Sequence, residues 1–218
     1  MKIKALVFDW DGTLMDSVAK IVACTQAAAR DLGLAVPPFE EAKQIIGLGL
    51  HPAMAKLFNI TDETEVQRVA DRYRHHFLGD EPTEETLFEG VEQLLRQFES
   101  EGYLMAVATG KSRRGLDHVL QKTSLGDLFH ITRCADETFS KPHPQMFLEI
   151  VDFLGIEAGE ALMIGDTEYD MQMAVNAGAA GGLGVTYGVH DRQHLLRHGA
   201  LTCFDDLREM PAWLADNS

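Results

Sequence analysis

Hydrophobic and polar positions follow two regimes along this chain. Short apolar runs at 4–8, 103–108 and 161–164 each stop abruptly at a carboxylate, a hydroxyl or a glycine. Runs of this length, bounded by turn residues, predict buried strands. Between them apolar residues recur every three or four positions, the spacing of helices with one buried face. That spacing predicts helices at 18–33, 40–46, 50–58, 62–78, 89–102, 113–122, 145–154, 170–177 and 192–198, and further short strands at 129–133, 182–185 and 201–204. Asp16 or Ser17 is placed to cap the first helix, and Thr61 or Asp62 the fourth, whose Val66, Val69, Tyr73 and Phe77 form one stripe.

Strands alternating with helices imply right-handed crossovers and a parallel sheet, an α/β fold. No strand is predicted between residues 15 and 80, so that stretch reads as an all-helical insertion after the first strand. The expected division is a core of residues 1–14 and 83–218 around a helical unit of 15–82, with Glu81-Pro82-Thr83 as the return linker.

The first strand ends in Asp9-Trp10-Asp11-Gly12-Thr13. Strand side chains alternate faces, so Asp9 and Asp11 point the same way and Trp10 points away. Two carboxylates so close repel unless a proton or a cation neutralises one of them. The spacing asks for a hard divalent ion, most naturally Mg²⁺ held by carboxylate oxygens and water. Ligands of open parallel sheets bind beyond the carboxyl ends of the strands. Those ends here carry Asp9 and Asp11, then Thr109-Gly110-Lys111, then Gly165-Asp166-Thr167 with Asp170, while Lys141 opens a helix on the same rim.

Composition narrows the choices. With 45% hydrophobic and 24% charged residues the chain has the make-up of a soluble globular protein. A formal net charge of −15 argues against a nucleic-acid or anionic-membrane surface. A phosphorylated substrate stays compatible, because a metal and a few cations dominate the field inside a cleft. Three scattered cysteines, Cys24, Cys134 and Cys203, form neither a zinc motif nor a disulfide framework and read as buried thiols in a reducing compartment. The start lacks a signal-peptide apolar region and no stretch is apolar enough to span a bilayer, so the expected location is cytoplasmic.

The four segments, in order, resemble the motif set of the haloacid dehalogenase-like superfamily of hydrolases, over residues 3 to about 185. The helical insertion, Asp16-Ser17 and Lys141-Pro142-His143-Pro144 place the resemblance nearest the phosphoglycolate phosphatase-like subgroup. That resemblance implies a Rossmann-like core, a helical cap, and a Mg²⁺-dependent phosphatase acting on a small phosphorylated metabolite. It implies Asp9 as nucleophile, forming an aspartyl-phosphate, and Asp11 as general acid and then base. Thr109, Gly110 and Lys111 would bind the phosphoryl group, and Lys141 would neutralise charge on it and on the nucleophile. Asp9, the Asp11 carbonyl and Asp166 would hold the metal, with Asp170 supporting its shell. The loop 47–51 would choose the substrate through Leu48, Leu50 and His51. Gly110 stands where many members of that superfamily carry asparagine, so that side-chain contact is not expected here.

Other readings stay beside this one: a phosphosugar mutase, a pyrophosphatase or nucleotidase, a binding protein keeping a phosphate pocket, and a dehalogenase, against which Asp11 counts. Gly110-Lys111-Ser112 is not a nucleotide P-loop, because the earlier glycine that motif needs is Met105 here. His190, His194 and His198 recur every four residues and could bind a metal, but helical phase alone produces that spacing, and they read as a solvated face. The oligomeric state is left open.

Overall fold

A computed structural model describes residues 2–79 and 85–217. Six strands form one parallel sheet in the order β5-β4-β1-β6-β7-β8: β1 (Ala5–Phe8), β4 (Leu104–Thr109), β5 (Ile131–Cys134), β6 (Ala161–Gly165), β7 (Gly181–Val185) and β8 (Ala200–Phe204). A second, two-stranded ribbon pairs β2 (Met15–Asp16) antiparallel with β3 (Thr86–Leu87). The helices are α1 (Val18–Leu32), α2 (Phe39–Lys43), α3 (Leu50–Phe58), α4 (Glu63–Phe77), α5 (Val91–Ser100), α6 (Arg113–Thr123), α7 (Gln145–Leu154), α8 (Glu168–Ala177), α9 (Arg192–Arg197) and α10 (Met210–Asn217).

The period-2 alternation of the central strands divides the core in two. Leu6 and Phe8, with Met105, Val107, Leu162 and Ile164, pack against Leu94, Leu95 and Phe98 of α5 and Leu116 of α6. Ala5 and Val7, with Ala106, Ala108 and Met163, face Met146, Phe147 and Ile150 of α7 and Met173 of α8. Alanines on that second face let the two helices approach the sheet closely. Each large side chain so buried stabilises the fold by about 1.5–3 kcal/mol relative to exposure.

Helices α1 to α4 pack in two apolar clusters, one around Ile21, Val22, Ile46 and Phe77 that also takes in Val189 after β7, and another around Ile45, Met54, Val66 and Val69. The predicted stripe of α4 is therefore its packed face. Gly33 ends α1 in a left-handed conformation, φ 68°, as a C-terminal glycine should.

Three expectations need correction. Met15–Asp16 is a strand, although none is expected between residues 15 and 80; two residues cannot display alternation, and their partner lies some seventy positions away. The helix α10 was not expected at all: it is eight residues long and buries only Met210 and Leu214. Ser17 stands at the N-terminus of α1 without capping it, because its hydroxyl is turned to Asp11. The linker 81–83 and the boundary at 82/83 lie outside the described residues. Among the described residues no helix is long and apolar enough to cross a membrane.

Candidate active site

Parallel register aligns the strand ends. Phe8 lies level with Val107 of β4 and Ile164 of β6, so the residues just past them surface along one rim. Asp9 follows β1 directly and is buried. Its Oδ1 accepts the Trp10 N–H at 2.7 Å and faces the Lys141 ammonium at 2.9 Å. Its Oδ2 is buried and has no hydrogen-bond partner among the described residues. Such an orphaned oxygen costs free energy unless something binds it.

Lys141 is fully buried and reaches Asp170 Oδ1 at 2.7 Å as well as Asp9. Burial opposes its charge, but the two carboxylates beside it push its pKa up to about 12, so it stays an ammonium. Asp170 owes its place to a capping box at the start of α8: its Oδ2 accepts the Thr167 N–H at 3.1 Å and the Thr167 hydroxyl at 2.6 Å. Asp166 accepts from the Thr13 hydroxyl at 2.8 Å and the Val189 N–H at 2.8 Å. Gly12 makes that approach possible. It sits at φ 82°, where a Cβ would be strained and would strike the Asp166 carboxylate.

Oxygens of Asp9, Asp166 and Asp170 lie within 4.8 Å of one another. Burial drives the Asp9 carboxyl well above the usual range despite Lys141, with Asp170 and Asp166 adding to the rise. Burial and Asp170 likewise lift Asp166 to about 7. When ionised, the three carboxylates exceed the one ammonium by two charges, and among the described residues Asp9 Oδ2 has no hydrogen-bond partner. Oxygen donors with that charge deficit fit a hard divalent ion such as Mg²⁺.

Asp11 belongs to a different network. Its Oδ1 accepts from the Ser17 hydroxyl at 2.7 Å, and Lys111 Nζ straddles both oxygens at 2.9 and 3.0 Å. Lys111 also lies 4.5 Å from the ring centre of Phe77 of α4 and 4.0 Å from Oε1 of the buried Glu85, an oxygen with no hydrogen bond among the described residues. The sequence offers Ser17 as a helix cap and Phe77 as part of an apolar stripe, not as neighbours of Asp11 and Lys111, and it does not single out Glu85. Only the strand β3, itself unforeseen, brings Glu85 to this place.

A cavity of about 400 Å³ opens above these residues, between the strand ends and the helical insertion. Asp9, Asp11, Thr109, Gly110 and Lys111 line its floor, and Ile21, Ile45, Leu48, Leu50, Met54 and Tyr73 are among its walls. The loop after α2 lies on the core: the Gly49 N–H donates to Ser140 Oγ at 2.7 Å. A Cβ on Gly110 would stand 2.5 Å from the Leu48 carbonyl oxygen and 2.7 Å from that of Gly47, which accounts for glycine there. His51 is the exception among the residues expected to touch the substrate. It is exposed on the first turn of α3, 2.7 Å from Gln67 Oε1, and does not line the cavity, because the helix turns it toward α4.

A family model described as haloacid dehalogenase-like hydrolase matches residues 6–181. The chain is 35% identical over 199 residues to "Probable phosphatase IndB" of Dickeya dadantii, covering 87% of this chain and 84% of that one. It is 31% identical over 220 residues to the N-acetylmuramic acid 6-phosphate phosphatase of Pseudomonas aeruginosa, covering 96% and 94%. The crystal structure of a hydrolase from Pseudomonas syringae superposes with a TM-score of 0.89 at 25% identity, covering 99% of both chains. The chain belongs to the haloacid dehalogenase-like hydrolase family. Within that family it is a phosphatase, an enzyme that hydrolyses phosphoric monoesters.

Proposed function

We propose that this phosphatase is Mg²⁺-dependent, acts on a small phosphorylated metabolite, and works through an aspartyl-phosphate on Asp9. The observation that carries this reading is the unpartnered, buried Asp9 Oδ2 at the floor of the cavity, beside a carboxylate cluster short of positive charge. Asp9 Oδ2 attacks phosphorus while the bond to the leaving alcohol breaks, and Asp11 supplies the proton that alcohol takes. Water then attacks the acyl phosphate, Asp11 takes up its proton, and phosphate leaves with Asp9 restored. Lys141 holds Asp9 in place and offsets charge, while Thr109 and the amides beside it accommodate phosphoryl oxygens. Asp9, Asp166 and the Asp11 carbonyl would hold Mg²⁺, with Asp170 behind them; the ion supplies electrostatic stabilisation of the transferring phosphoryl group.

Residues 15–82 act in this reading as a cap whose Gly47-Leu48 loop closes the cavity. A phosphoglycolate-sized substrate fits the volume, and the aliphatic walls favour an alcohol with more apolar surface than glycolate. The cations on the lining are Lys111, Arg74 and Arg114, and the first two are already paired with Asp11 and Asp71.

Phosphate release from a panel of phosphoglycolate, sugar phosphates, pyrophosphate, nucleoside monophosphates and aryl or alkyl phosphates tests the proposal. Release that stops with chelator, returns with Mg²⁺ and concentrates on one class supports it. Turnover indifferent to chelator contradicts the metal role, and conversion of a sugar phosphate without net release points to the mutase reading.

A further inference from the structure

The imidazoles that the sequence presents as a solvated face are not one. His190, His194 and His198 stack, with ring centres 4.2 and 4.4 Å apart, from the residue before the N-cap of α9 to its C-cap. Nε2 of His194 and Nε2 of His198 both converge on one oxygen of Glu168, each at 3.0 Å. Glu168 comes from the first turn of α8 and is about one-fifth exposed.

The tautomer of His198 is fixed by its other nitrogen. Its Nδ1 lies 2.8 Å from the His194 carbonyl oxygen, which can only accept, so Nδ1 carries a proton. In a neutral ring the Nε2 lone pair then points at a carboxylate oxygen. That contact is repulsive unless a proton or a metal ion lies between the two, and the metal ion also takes the lone pair of His194. One metal ion satisfies all three groups together. An Nδ1–H held by a backbone carbonyl is also the usual outer support of a metal-binding histidine.

We propose that Glu168, His194 and His198 form a second metal site, sharing no residue with the Asp9 cluster, for Zn²⁺ or a similar late first-row divalent ion. A tetrahedral zinc ion with bonds of about 2.0–2.1 Å sets its ligand atoms roughly 3.3 Å apart. The three donor atoms here all lie within 4.8 Å of one another, with two of the pairs at 3.0 Å. Two imidazoles and a carboxylate select Zn²⁺ over Mg²⁺, which prefers oxygen ligands in an octahedron. Side chains 21–30% exposed leave an entry path and a fourth position for water. His190 supports the site from behind. Its Nδ1 accepts the Glu168 N–H at 3.0 Å, and its Nε2 meets Gln44 Oε1, at the end of α2, at 3.0 Å.

The test is calorimetric titration of Zn²⁺ into metal-stripped, full-length protein held in excess Mg²⁺, which occupies the carboxylate cluster. One Zn²⁺ per chain is expected, with affinity reduced by about 100-fold or more in His198→Ala and lost in the His194→Ala/His198→Ala double variant. Outer partners alone are worth about 10–100-fold. Binding unchanged in the double variant, or no Zn²⁺ uptake in the presence of Mg²⁺, would overturn the proposal. Should the double variant fail to fold, the Co²⁺-loaded parent protein decides. An intense tetrahedral visible spectrum supports the site, and a weak octahedral one refutes it.

Discussion

Gly110 illustrates how a single residue ties the two halves of the site together. Carbonyl oxygens of Gly47 and Leu48 lie where a Cβ would go, so the loop from the helical insertion rests on a bare backbone. Gly110→Asn should force that loop away, at a cost of about 1–3 kcal/mol for overpacking. A lowered thermal midpoint together with a raised KM is the expected result; an unchanged KM would mean that the loop does not seat there during turnover. Lys141 lies in the loop before α7 rather than at its start, but the positions of Asp9, Asp11, Thr109, Asp166 and Asp170, at strand ends or on the first turn of a helix, are legible in the sequence. Ser17, Glu85 and the pairing of Lys111 with Asp11 are not. They depend on which distant residues meet, and no periodicity encodes that. His51 fails for a related reason: it adjoins the loop in sequence, but the first turn of α3 carries it to the outer face.

At the scale of elements, Arg113 holds the start of α6 to the loop after β5. Its guanidinium contacts both oxygens of Glu137 at 3.0 and 2.8 Å, and the Cys134 N–H donates to the same carboxylate at 2.9 Å. The Arg113 hydrogen bond, outweighing burial, holds the Glu137 pKa below the ordinary 4.5. A depressed carboxyl pKa stabilises the fold above the unfolded value and loses that effect as pH falls through 4.5 toward the folded value. Glu137→Gln should therefore lower stability by about 1 kcal/mol at neutral pH, a modest figure for a partly exposed pair. Denaturant melts at stepped pH should show the gap to the parent protein closing below that point; a gap independent of pH would refute the assignment. The major strands and helices are legible because each buries a periodic face over four or more residues. The ribbon β2–β3 and helix α10 are not, since two residues have no period and α10 buries little.

Across the whole molecule, the insertion supplies the walls of the cavity and the sheet supplies its floor. Recognition and chemistry then reside in different parts of the chain, and they should separate under mutation. Leu48→Ala and Leu50→Ala remove aliphatic wall without touching the floor. Each is expected to shift relative kcat/KM among phosphoesters by about 10-fold, the worth of one to two buried methylenes, and to favour smaller or more polar alcohols. Equal loss on every substrate would show that these side chains do not read the leaving group. The sequence predicts the insertion as a helical block. It does not predict the seating of loop 47–49 on Ser140 and Gly110, because those contacts link segments some sixty to ninety positions apart.

The central claim is that Asp9 is the nucleophile, and trapping tests it most directly. Acid quenching during turnover, followed by peptide mass spectrometry, should find one phosphoryl group on Asp9. Asp9→Asn should lack that adduct, keep the fold by circular dichroism, and lose turnover by roughly 10⁴-fold or more, as removal of a nucleophile does elsewhere. A phosphoryl group on another residue, or turnover near the parent rate in Asp9→Asn, would contradict the account.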